Sequence, residues 1–468
     1  MKELQALKGL KKIHFVGIGG AGMSPLAKIL TELGYEVSGS DTAKSDIIDK
    51  LKALGAVVYD KQDGENVRGK DAIVVSSAIP FDNPEVLAAG SLKIPKLHRS
   101  DINAALVNEY KGIAVAGAHG KTTTTSMIGV ALNAIGKEPT VIVGGVAPDL
   151  GTNAKLGKSE YLVSEADESD GSFLKLRPYI AVVTNVENDH MDHYGTMDNI
   201  RAAFKEFIEY TDKNTGYAVL CYDSPELKAI AENIDRNIIS YGISSEADYM
   251  AKNIAMENAG EAFDLFVKGE FKTRVKLNLP GKHNVLNALA TIAVGNIIGA
   301  SPEEMAKGLT AFHGAKRRFE TKGRKDGVWV LDDYAHHPTE IAMTLKAAKE
   351  TKPKKLVAIF QPHRYSRTKL LKEEFGEAFI SADELILTDI YSAGEAPIEG
   401  ITGETVLEEV VKQTNQEVVY IKDKNHIAKY VEEKLKEEPN KDDANPIMIM
   451  TMGAGDIYKI GEEIAKNL

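Results

Sequence analysis

Short apolar segments alternate with helical patterns along the first hundred residues of the chain. The apolar segments have the length of buried strands and lie at 13–17, 36–41, 56–60 and 72–78. Two segments between them have helical spacing and end in a glycine, which commonly stops a helix; they lie at 24–34 and 45–55. Alternation of this kind predicts a parallel α/β sheet for the first part of the chain.

A second alternating region begins near residue 110. Residues 112–136 have the order strand, loop, helix, and the segments 161–167 and 180–186 are apolar enough for further buried strands. From 217 to 280 hydrophobic and polar positions alternate with a period of two and are separated by turns, which predicts an antiparallel sheet. Residues 281–300 carry the small and apolar residues of a helix.

Strands separated by helices return after residue 313. The apolar segments of this region predict strands at 328–335, 355–362, 384–391 and 446–456. We therefore predict an α/β fold with three domains. The predicted boundaries are 1–107, 108–312 and 313–468.

Composition narrows the class of function. The 468 residues carry a net charge of −11, which argues against a general DNA- or RNA-binding protein, because such proteins usually have a basic face. The single cysteine, Cys221, fits a reducing compartment, and we interpret it as a small apolar residue of a strand. No signal peptide and no long apolar run is visible. These features predict a cytoplasmic protein without nucleic acid or membrane partners, and the acidic balance does not exclude small anionic substrates, because a local basic cleft can bind them.

The segment GIGGAG at 17–22 fits the G-x-G-x-x-G pattern, placed after a strand and before a helix. Glycines let a pyrophosphate approach the backbone, and the helix N-terminus supplies partial positive charge. The next phosphate loop begins near residue 113, which leaves too little chain for the second half of an NAD-binding fold. A pyrophosphate with one nucleoside, such as a UDP-sugar, fits better. Asp41 is either a ligand of the ribose or base, or a turn-capping residue.

The segment GAHGKTT, which begins at Gly117, lacks the first glycine of a Walker A loop because Val115 stands in that position. It nevertheless follows an apolar strand and precedes a helix. Gly117, Gly120 and Lys121 still allow N–H groups and an ammonium to surround a phosphate. Thr122 stands where a hydroxyl reaches Mg²⁺ in such loops. The pattern predicts a nucleoside triphosphate site.

Two acidic clusters follow the next two predicted strands, SEADESDGSF at 164–173 and TNVENDHMDHY at 184–194. Side chains at neighbouring strand ends can converge on one site. Mg²⁺ prefers oxygen ligands, so Glu165 is the expected ligand and His190 a less usual one. A solvated acidic loop is the alternative for any single residue of these clusters.

Taken together, the motifs resemble the Mur ligase family over essentially the whole chain. In chain order they are GIGGAGMS, AGAHGKTTTT, EADESDGSF, TNVENDHMDHY, GKHNVLNALA, AKRRFE, DDYAHHPTE, FQPHRYSRT, IYSAGEAP and MGAGD. The short G-x-x-G-K-T loop is the form that this family uses. The resemblance implies a Rossmann-like N-terminal domain that binds UDP, a central P-loop ATPase-like domain with an added antiparallel sheet, and a Rossmann-like C-terminal domain that binds an amino acid.

The resemblance also implies the reaction. It is ATP-dependent, Mg²⁺-requiring amide formation between the lactyl carboxylate of UDP-N-acetylmuramate and L-alanine, an early cytoplasmic step of peptidoglycan synthesis. Phosphoryl transfer from ATP would turn the carboxylate, a poor electrophile, into an acyl phosphate that the amine can attack.

Residue roles follow from the matching motifs. The implied catalytic residues are Lys121, Glu165, His190, Arg318, Asp333 and His336. The implied ATP-binding residues are Gly117, Ala118, His119, Gly120, Lys121, Thr122, Thr123, His283, Asn284, Asn287 and Arg318. The implied UDP-sugar-binding residues are Gly17, Gly19, Gly20, Gly22, Asp41, Ser76 and Ser77. The implied amino-acid-binding residues are Tyr334, His336, Arg364 and Arg367. The implied metal ligands are Thr122, Glu165 and His190.

Several of these residues have a simpler alternative. Asn284 fits a helix N-cap, Arg317 or Arg318 a surface charge, and His337 the turn before a proline. Several relatives hold a second Mg²⁺ with a carbamylated lysine, and Lys205 lies in roughly that region without a firm match.

Alternatives for the function also stay open. One is a related ligase that attaches a murein tripeptide to the same sugar nucleotide. Another is an NAD-dependent dehydrogenase, suggested by the first glycine loop alone. A third is a nucleotide-binding sensor without catalysis.

Overall fold

The computed structural model describes residues 4–257, 260–414 and 416–468. The chain forms two compact units. The first comprises the residues up to Asn253, with Phe263–Val275 and Leu286–His313. The second comprises Ile254–Ala262, Lys276–Val285 and Gly314–Leu468. The finer division into three domains at the boundaries given above stays a prediction.

The first sheet is parallel and has five strands in the order β3-β2-β1-β4-β5. Its strands are β1 Lys12–Val16, β2 Glu36–Ser40, β3 Val57–Tyr59, β4 Ala72–Val75 and β5 Lys96–His98. The accompanying helices are α1 Ser24–Glu32, α2 Asp46–Ala53, α3 Pro84–Ser91 and α4 Arg99–Glu109. The predicted parallel α/β sheet is confirmed. Its order reverses between β1 and β4, and open α/β sheets bind ligands at the carboxyl ends of such strands.

The second sheet has ten strands in the order β15-β14-β13-β12-β11-β10-β6-β9-β7-β8. Its strands are β6 Lys111–Ala116, β7 Thr140–Ala147, β8 Thr152–Lys155, β9 Tyr161–Glu165, β10 Ile180–Val183, β11 Tyr217–Cys221, β12 Ile238–Gly242, β13 Tyr249–Glu257, β14 Gly260–Val267 and β15 Glu270–Lys276. The helices are α5 Lys121–Ala134, α6 Met191–Tyr194, α7 Met197–Glu209, α8 Pro225–Ala231, α9 Lys282–Ile297 and α10 Pro302–Leu309.

The antiparallel region is shorter than the sequence suggested. Strands β11, β12 and β13 pair in parallel and extend the parallel part of the sheet, so the antiparallel prediction was wrong for 217–250. It holds further on, where β14 and β15 are joined by Lys268 and Gly269 with φ of 49° and 82°. Two consecutive residues of positive φ form a tight turn, and a tight turn joins antiparallel strands. Periodicity along one strand does not reveal the direction of its neighbour.

The third sheet has six strands in the order β16-β17-β21-β18-β19-β20, parallel except for the β16–β17 pair. Its strands are β16 Glu320–Lys325, β17 Val328–Asp333, β18 Lys355–Phe360, β19 Glu384–Leu387, β20 Val418–Tyr420 and β21 Ile447–Met452. The helices are α11 Pro338–Glu350, α12 Tyr365–Leu370, α13 Gly403–Thr414, α14 Ile427–Glu437 and α15 Tyr458–Asn467.

Burial explains why the parallel strands read as continuous apolar runs. On β17, Leu331 packs into the core on one face of the third sheet, and Val330 packs into the core on the other face. A parallel sheet covered by helices on both faces buries both sets of side chains. Cys221 on β11 is likewise 3% exposed, and burial raises the pKa of its thiol to about 11. That environment agrees with a packing role for this cysteine.

Candidate active site

The first glycine loop connects β1 to α1 and is held by a carboxylate. The N–H of Gly19 donates a hydrogen bond of 2.9 Å to Oδ2 of Asp41, which follows β2. Oδ1 of Asp41 accepts a second bond of 2.9 Å from the N–H of Ala43. The backbone N–H of Gly20 turns back to the carbonyl of Gly17 at 3.1 Å. Asp41 therefore shapes the loop, while contact with a ribose or base stays a prediction.

A second loop, after β4, lies against the glycine loop. A Cβ atom at Gly17 would lie 3.3 Å from Cδ1 of Ile79, in the turn that begins at Ser76. Oγ of Ser77 lies 3.3 Å from Nε2 of His98 at the end of β5. The predicted sugar-nucleotide residues from the ends of β1 and β4 thus occupy neighbouring strand ends, as the topology of the sheet requires.

Arg99 connects the first glycine loop to the acidic cluster after β9. A Cβ atom at Gly22 would lie 3.2 Å from Nη1 of Arg99, and Nη2 of the same guanidinium lies 2.6 Å from Oδ2 of Asp167. Burial works to raise the pKa of Asp167, but a hydrogen bond from Ser169 and the charge of Arg99 outweigh it and lower the pKa to about 2. Asp167 is therefore ionised at neutral pH.

The phosphate loop connects β6 to α5 and is closely packed. Gly117 has φ of 134°, and a Cβ atom there would collide with Oγ1 of Thr184 at the end of β10. Only glycine fits this position, because both the backbone conformation and the space exclude a side chain. Gly120 precedes the first turn of α5, and a Cβ atom there would lie 3.0 Å from Oδ1 of Asn287. Ala118, Thr122 and Thr123 complete the predicted loop.

Lys121 is paired inside this loop. Its Nζ donates to the carbonyl of Gly117 at 2.6 Å, to that of Ala118 at 3.2 Å and to Oε1 of Glu168 at 2.6 Å. Burial opposes the charge, but the carboxylates of Glu168, Asp167 and Glu165 together outweigh it and raise the pKa of Lys121. The ammonium is thus charged and held by weak carbonyl acceptors and one carboxylate, all of which a phosphate can replace.

Residues outside the glycine-lysine motif fix the backbone of the loop. Oγ1 of Thr184 donates to the carbonyl of His119 at 2.5 Å, and Nδ2 of Asn185 donates to the same carbonyl at 3.0 Å. Oδ1 of Asn185 in turn accepts the N–H of His119 at 2.9 Å. Nε2 of His119 lies 3.2 Å from Oε2 of Glu187. The end of β10 therefore sets the shape of the phosphate loop.

Two of the predicted metal ligands, Glu165 and His190, contact separate neighbours. Glu165 ends β9, and its Oε1 accepts the N–H of Gly144 at 2.8 Å. Nε2 of His190 lies 3.7 Å from Oε1 of Glu168, which also binds Lys121. The other oxygen of Glu168, Oε2, is buried without a hydrogen-bond partner among the described residues. A buried carboxylate oxygen without a partner, next to the carboxylate of Asp167, fits a hard cation.

Within the second unit, Asn284 and His283 stand at the start of α9. Asn284 is the third residue of the helix, and its Nδ2 donates to the carbonyl of Pro280 at 2.7 Å. An N-cap side chain accepts a bond instead, so the N-cap alternative for Asn284 was wrong. Burial and the nearby charge of Arg318 lower the pKa of His283 to about 4, which keeps this imidazole neutral at pH 7. The roles of both residues in binding adenine stay predictions.

The two adjacent arginines of the AKRRFE motif have different partners. Arg317 donates to Oδ2 of Asp332 at 3.0 Å and to the carbonyls of Gly453 and Gly455 at 2.6 and 3.0 Å, so it joins two strand ends and is not a surface charge. Arg318 lies 3.6 Å from Oε1 of Glu340. The sequence did not separate the two, because both stand at the same motif.

Asp333 ends β17 and is buried. Its oxygens accept the N–H groups of Ala335 and Phe319, both at 2.8 Å. Burial dominates over the charge of Arg318 and raises the pKa of Asp333 to about 6. His337 caps α11 through the N–H of Thr339, in agreement with its predicted place in the turn before Pro338.

The predicted amino-acid-binding residues form a cluster with aromatic neighbours in the second unit. Nδ1 of His336 lies 2.9 Å from the carbonyl of Tyr334, and the two rings meet edge to face at 5.4 Å. Nη1 of Arg367 lies 3.2 Å from Nδ1 of His363, whose ring lies 6.0 Å from that of His336. Arg364 points to Glu395, with Nε and Oε1 2.9 Å apart.

Sequence reasoning missed several residues of these clusters. In the first unit they are Arg99, Asp167, Glu168, Thr184 and Asn185, and in the second they are Gln361 and His363. Gln361 is 4% exposed, and its Oε1 has no hydrogen-bond partner in the described parts of the chain. All except Arg99 lie inside motifs already singled out, so the available signal was a polar residue at a strand end. Arg99 follows directly on β5, which is the same signal.

Comparisons with known proteins identify the family of the chain. Residues 12–111 match the model described as Mur ligase family, catalytic domain, residues 115–295 the Mur ligase middle domain, and residues 317–455 the Mur ligase, glutamate ligase domain. The chain belongs to the Mur ligase family.

Individual relatives are more specific. The chain is 46% identical over 459 residues, 98% of each chain, to the UDP-N-acetylmuramate–L-alanine ligase of Pelotomaculum thermopropionicum. It is also 46% identical over 462 residues to the protein of the same name from Desulforamulus reducens, again covering 98% of each. The crystal structure of the UDP-N-acetylmuramate–alanine ligase MurC from Thermotoga maritima superimposes with a TM-score of 0.82 at 28% identity and covers 97% of this chain and 98% of that one. Across the described residues, none of the helices is long and apolar enough to cross a membrane.

Proposed function

We propose that the chain is an ATP-dependent ligase that joins L-alanine to the lactyl carboxylate of UDP-N-acetylmuramate through an acyl phosphate, in peptidoglycan biosynthesis. The observation that carries the proposal is the arrangement of its first unit. A glycine loop suited to a diphosphate and a lysine-bearing loop suited to a triphosphate are connected through Arg99, Asp167, Glu168 and Lys121. The full-length relatives that carry this name support it.

The residues around the phosphate loop explain how the two anionic substrates can react. The charged ammonium of Lys121 neutralises the phosphates of ATP, and Thr184 and Asn185 hold the loop in place before the nucleotide arrives. Preorganised charge of this kind is the main contribution that a protein makes to phosphoryl transfer. Thr122, Glu165 and His190 are proposed to hold Mg²⁺, with Glu168 beside them. Bound there, the ion would neutralise phosphate charge.

The second unit is proposed to bind the amino acid. Asp333 is the last residue of β17, and the charge of Arg318 acts on it. Tyr334, His336, Arg364 and Arg367 are the proposed amino-acid-binding residues. Burial lowers the pKa of His336 to about 3, so its side chain is neutral at pH 7 but too weak a base to take a proton from the alanine ammonium, and it is proposed to position the amino acid. Glu340 opposes that shift and lies 3.4 Å from Nδ1 of His336. A cytoplasmic location of the protein stays a prediction.

The alternatives are less well supported. The first sheet stops at five strands, one short of the six-stranded arrangement that binds a dinucleotide in two halves, so NAD chemistry has no structural support in the described residues. The tripeptide ligase shares the fold: a murein peptide ligase from Psychrobacter arcticus superimposes with a TM-score of 0.71 at 23% identity, covering 97% of this chain and 98% of that one. The relatives at 46% identity favour the single amino acid.

Phosphate release tests the proposal directly. The purified protein is incubated with ATP, Mg²⁺, UDP-N-acetylmuramate and either L-alanine, glycine, L-serine or the murein tripeptide. We expect release with L-alanine that depends on the sugar nucleotide, together with a product one alanine heavier by mass spectrometry. Turnover with the tripeptide alone would establish the rival ligase, and binding of both nucleotides without turnover would establish a sensor.

A further inference from the structure

Arg99 stands between the two anion loops, at the first residue of α4. We infer that Arg99 is a substrate-binding residue, whose guanidinium binds an anionic group of the sugar nucleotide after leaving Asp167. This inference rests on the proposed function and adds a ligand to its sugar-nucleotide site. The chemistry recognised is a carboxylate or a phosphate oxygen, both of which a planar guanidinium binds through parallel N–H groups.

The position of the guanidinium supports this role. One end, Nη1, is close enough to the third glycine of the loop that a Cβ atom at Gly22 would lie 3.2 Å away. The other end, Nη2, bonds to Asp167 at 2.6 Å, one residue before the carboxylate that holds Lys121. A sugar nucleotide seated on the first loop must extend its carboxylate toward the phosphate loop. The guanidinium of Arg99 lies along that route.

The bond between Arg99 and Asp167 is suited to exchange. The two side chains are 26% and 35% exposed, so water and ligand can reach them without unfolding. Partly exposed ion pairs contribute little to the free energy of unfolding. When an anion of the substrate replaces the carboxylate of Asp167, the guanidinium of Arg99 therefore stays neutralised and little free energy is lost. Asp167 in this reading holds the arginine in position while the site is empty.

Helix α4 does not need Arg99 as a structural link. Nζ of Lys175 donates to Oδ1 of Asp101 at 2.6 Å and to Oγ of Ser100 at 2.9 Å, which ties the same end of α4 to the segment after the acidic cluster. Further along the helix, Oδ1 of Asn103 accepts a bond of 2.9 Å from Oγ of Ser164 on β9. These contacts anchor α4 independently of Arg99. If Arg99 had only a structural role, it would therefore be redundant for holding α4 in place.

Binding without catalysis separates the two roles. The dissociation constant of UDP-N-acetylmuramate is measured by calorimetry without ATP for the wild type, Arg99→Met, Asp167→Asn and the matched control Lys175→Met. We expect Arg99→Met to weaken binding about 10- to 100-fold, which is the usual effect of losing a charge-assisted hydrogen bond. We expect Asp167→Asn to leave binding unchanged or to tighten it up to about fivefold, because a competing partly exposed ion pair is weakened. Lys175→Met should bind as the wild type does.

The different responses of Arg99→Met and Asp167→Asn decide the inference. If Arg99 were only a strut, Arg99→Met and Asp167→Asn would weaken binding together, and that result would overturn the proposal. Equal affinity of Arg99→Met and wild type would also overturn it. Thermal unfolding of each variant shows whether it is folded, and Arg99→Lys, which keeps the charge, should recover part of the affinity if Arg99→Met does not fold.

A second ligand identifies the anion. UDP-N-acetylglucosamine carries the diphosphate but has no lactyl carboxylate. If Arg99→Met weakens both ligands equally, the guanidinium binds the diphosphate; if it weakens only the muramate, it binds the carboxylate. Wild-type protein that binds neither sugar nucleotide contradicts the proposed function itself, whereas wild-type binding that Arg99→Met leaves unchanged contradicts only the inference.

Discussion

The two anion loops of the first unit have the same local architecture but carry opposite charge. Each follows a parallel strand, turns through glycines and leads into a helix. The first loop has a carboxylate at its centre, because Asp41 accepts the N–H of Gly19. The second has an ammonium, because Lys121 folds onto the carbonyls of its own loop and onto Glu168.

The difference shows how one unit can distinguish two phosphorylated ligands. A triphosphate carries more charge than a diphosphate, and the loop with the lysine can neutralise it. The first loop depends on backbone N–H groups and on cations from outside its own segment, of which Arg99 is the nearest candidate. A glycine-rich pattern alone therefore does not indicate how much charge its ligand carries.

Removing the lysine is expected to have the largest effect and to act on one loop only. Lys121→Met should lower the rate of phosphate release by about 10³-fold or more, because a buried cation facing transferred phosphate is lost. The affinity for UDP-N-acetylmuramate should stay within about twofold, which is measured by calorimetry. The matched control is Lys111→Met, at the opposite end of β6, which should retain activity. Equal loss of affinity for both nucleotides would show that the loops are not independent.

Glycine-to-alanine substitutions should show which of the two loops tolerates an added side chain less well. Gly117→Ala meets both a strained φ of 134° and Thr184, so we expect loss of nucleotide binding and destabilisation of about 2–4 kcal/mol. Gly19→Ala places its Cβ 2.8 Å from Oδ2 of Asp41, a side chain that can move, so destabilisation should be about 1 kcal/mol. Chemical denaturation gives both values. The reverse order would mean that the first loop is the more constrained.

Buried carboxylates at the two sites should respond differently to pH. Asp167, beside Arg99, stays ionised, whereas burial raises the pKa of Asp333 from 3.8 to about 6. Between pH 3.8 and about 6, the folded protein keeps a proton on Asp333 that the unfolded chain has lost. This group therefore makes the free energy of unfolding fall as the pH rises from about 4 to about 6. Asp333→Asn does not titrate and should lack about 2–3 kcal/mol of that fall. Denaturation at pH 4 and 7 measures it; identical pH profiles would contradict the assignment.

The smallest effect is expected at the carboxylate of the first loop. Asp41→Ala removes the acceptor for the N–H groups of Gly19 and Ala43 and should weaken UDP-N-acetylmuramate binding about tenfold. Asp41→Asn keeps one acceptor oxygen and should lose about threefold. Calorimetry checks both. Tighter binding by either variant would mean that repulsion between Asp41 and the diphosphate outweighs its support of the loop.

Most of the fold could be predicted from the periodicity of the sequence. Most of the parallel strands, such as β17, read as apolar runs because their side chains are buried on both faces, and the glycine loops marked two of the strand-to-helix turns. The parallel pairing of β11 with β12 could not be predicted from the sequence, because the direction of a partner strand depends on the path of the connecting helix α8. Local alternation carries no information on that path.

The site could be predicted only in part from the sequence. Lys121, Glu165 and His190 stand in motifs whose chemistry is visible in one segment of chain. Arg99 and Thr184 act through residues 68 and 65 positions away, at Asp167 and His119. Their roles depend on which strand ends are neighbours, and that order appears only once the sheet is assembled.

The contact between positions 117 and 184 has a consequence for how this protein can change over time. Because the hydroxyl of Thr184 fills the space that any side chain at position 117 would need, neither residue can be exchanged freely alone. A descendant that gains bulk at the first position must lose it at the second and must also relieve the backbone strain of φ 134°, although Asn185 still donates to the carbonyl of His119. Three simultaneous changes are rare, which makes this pair an enduring marker of common ancestry.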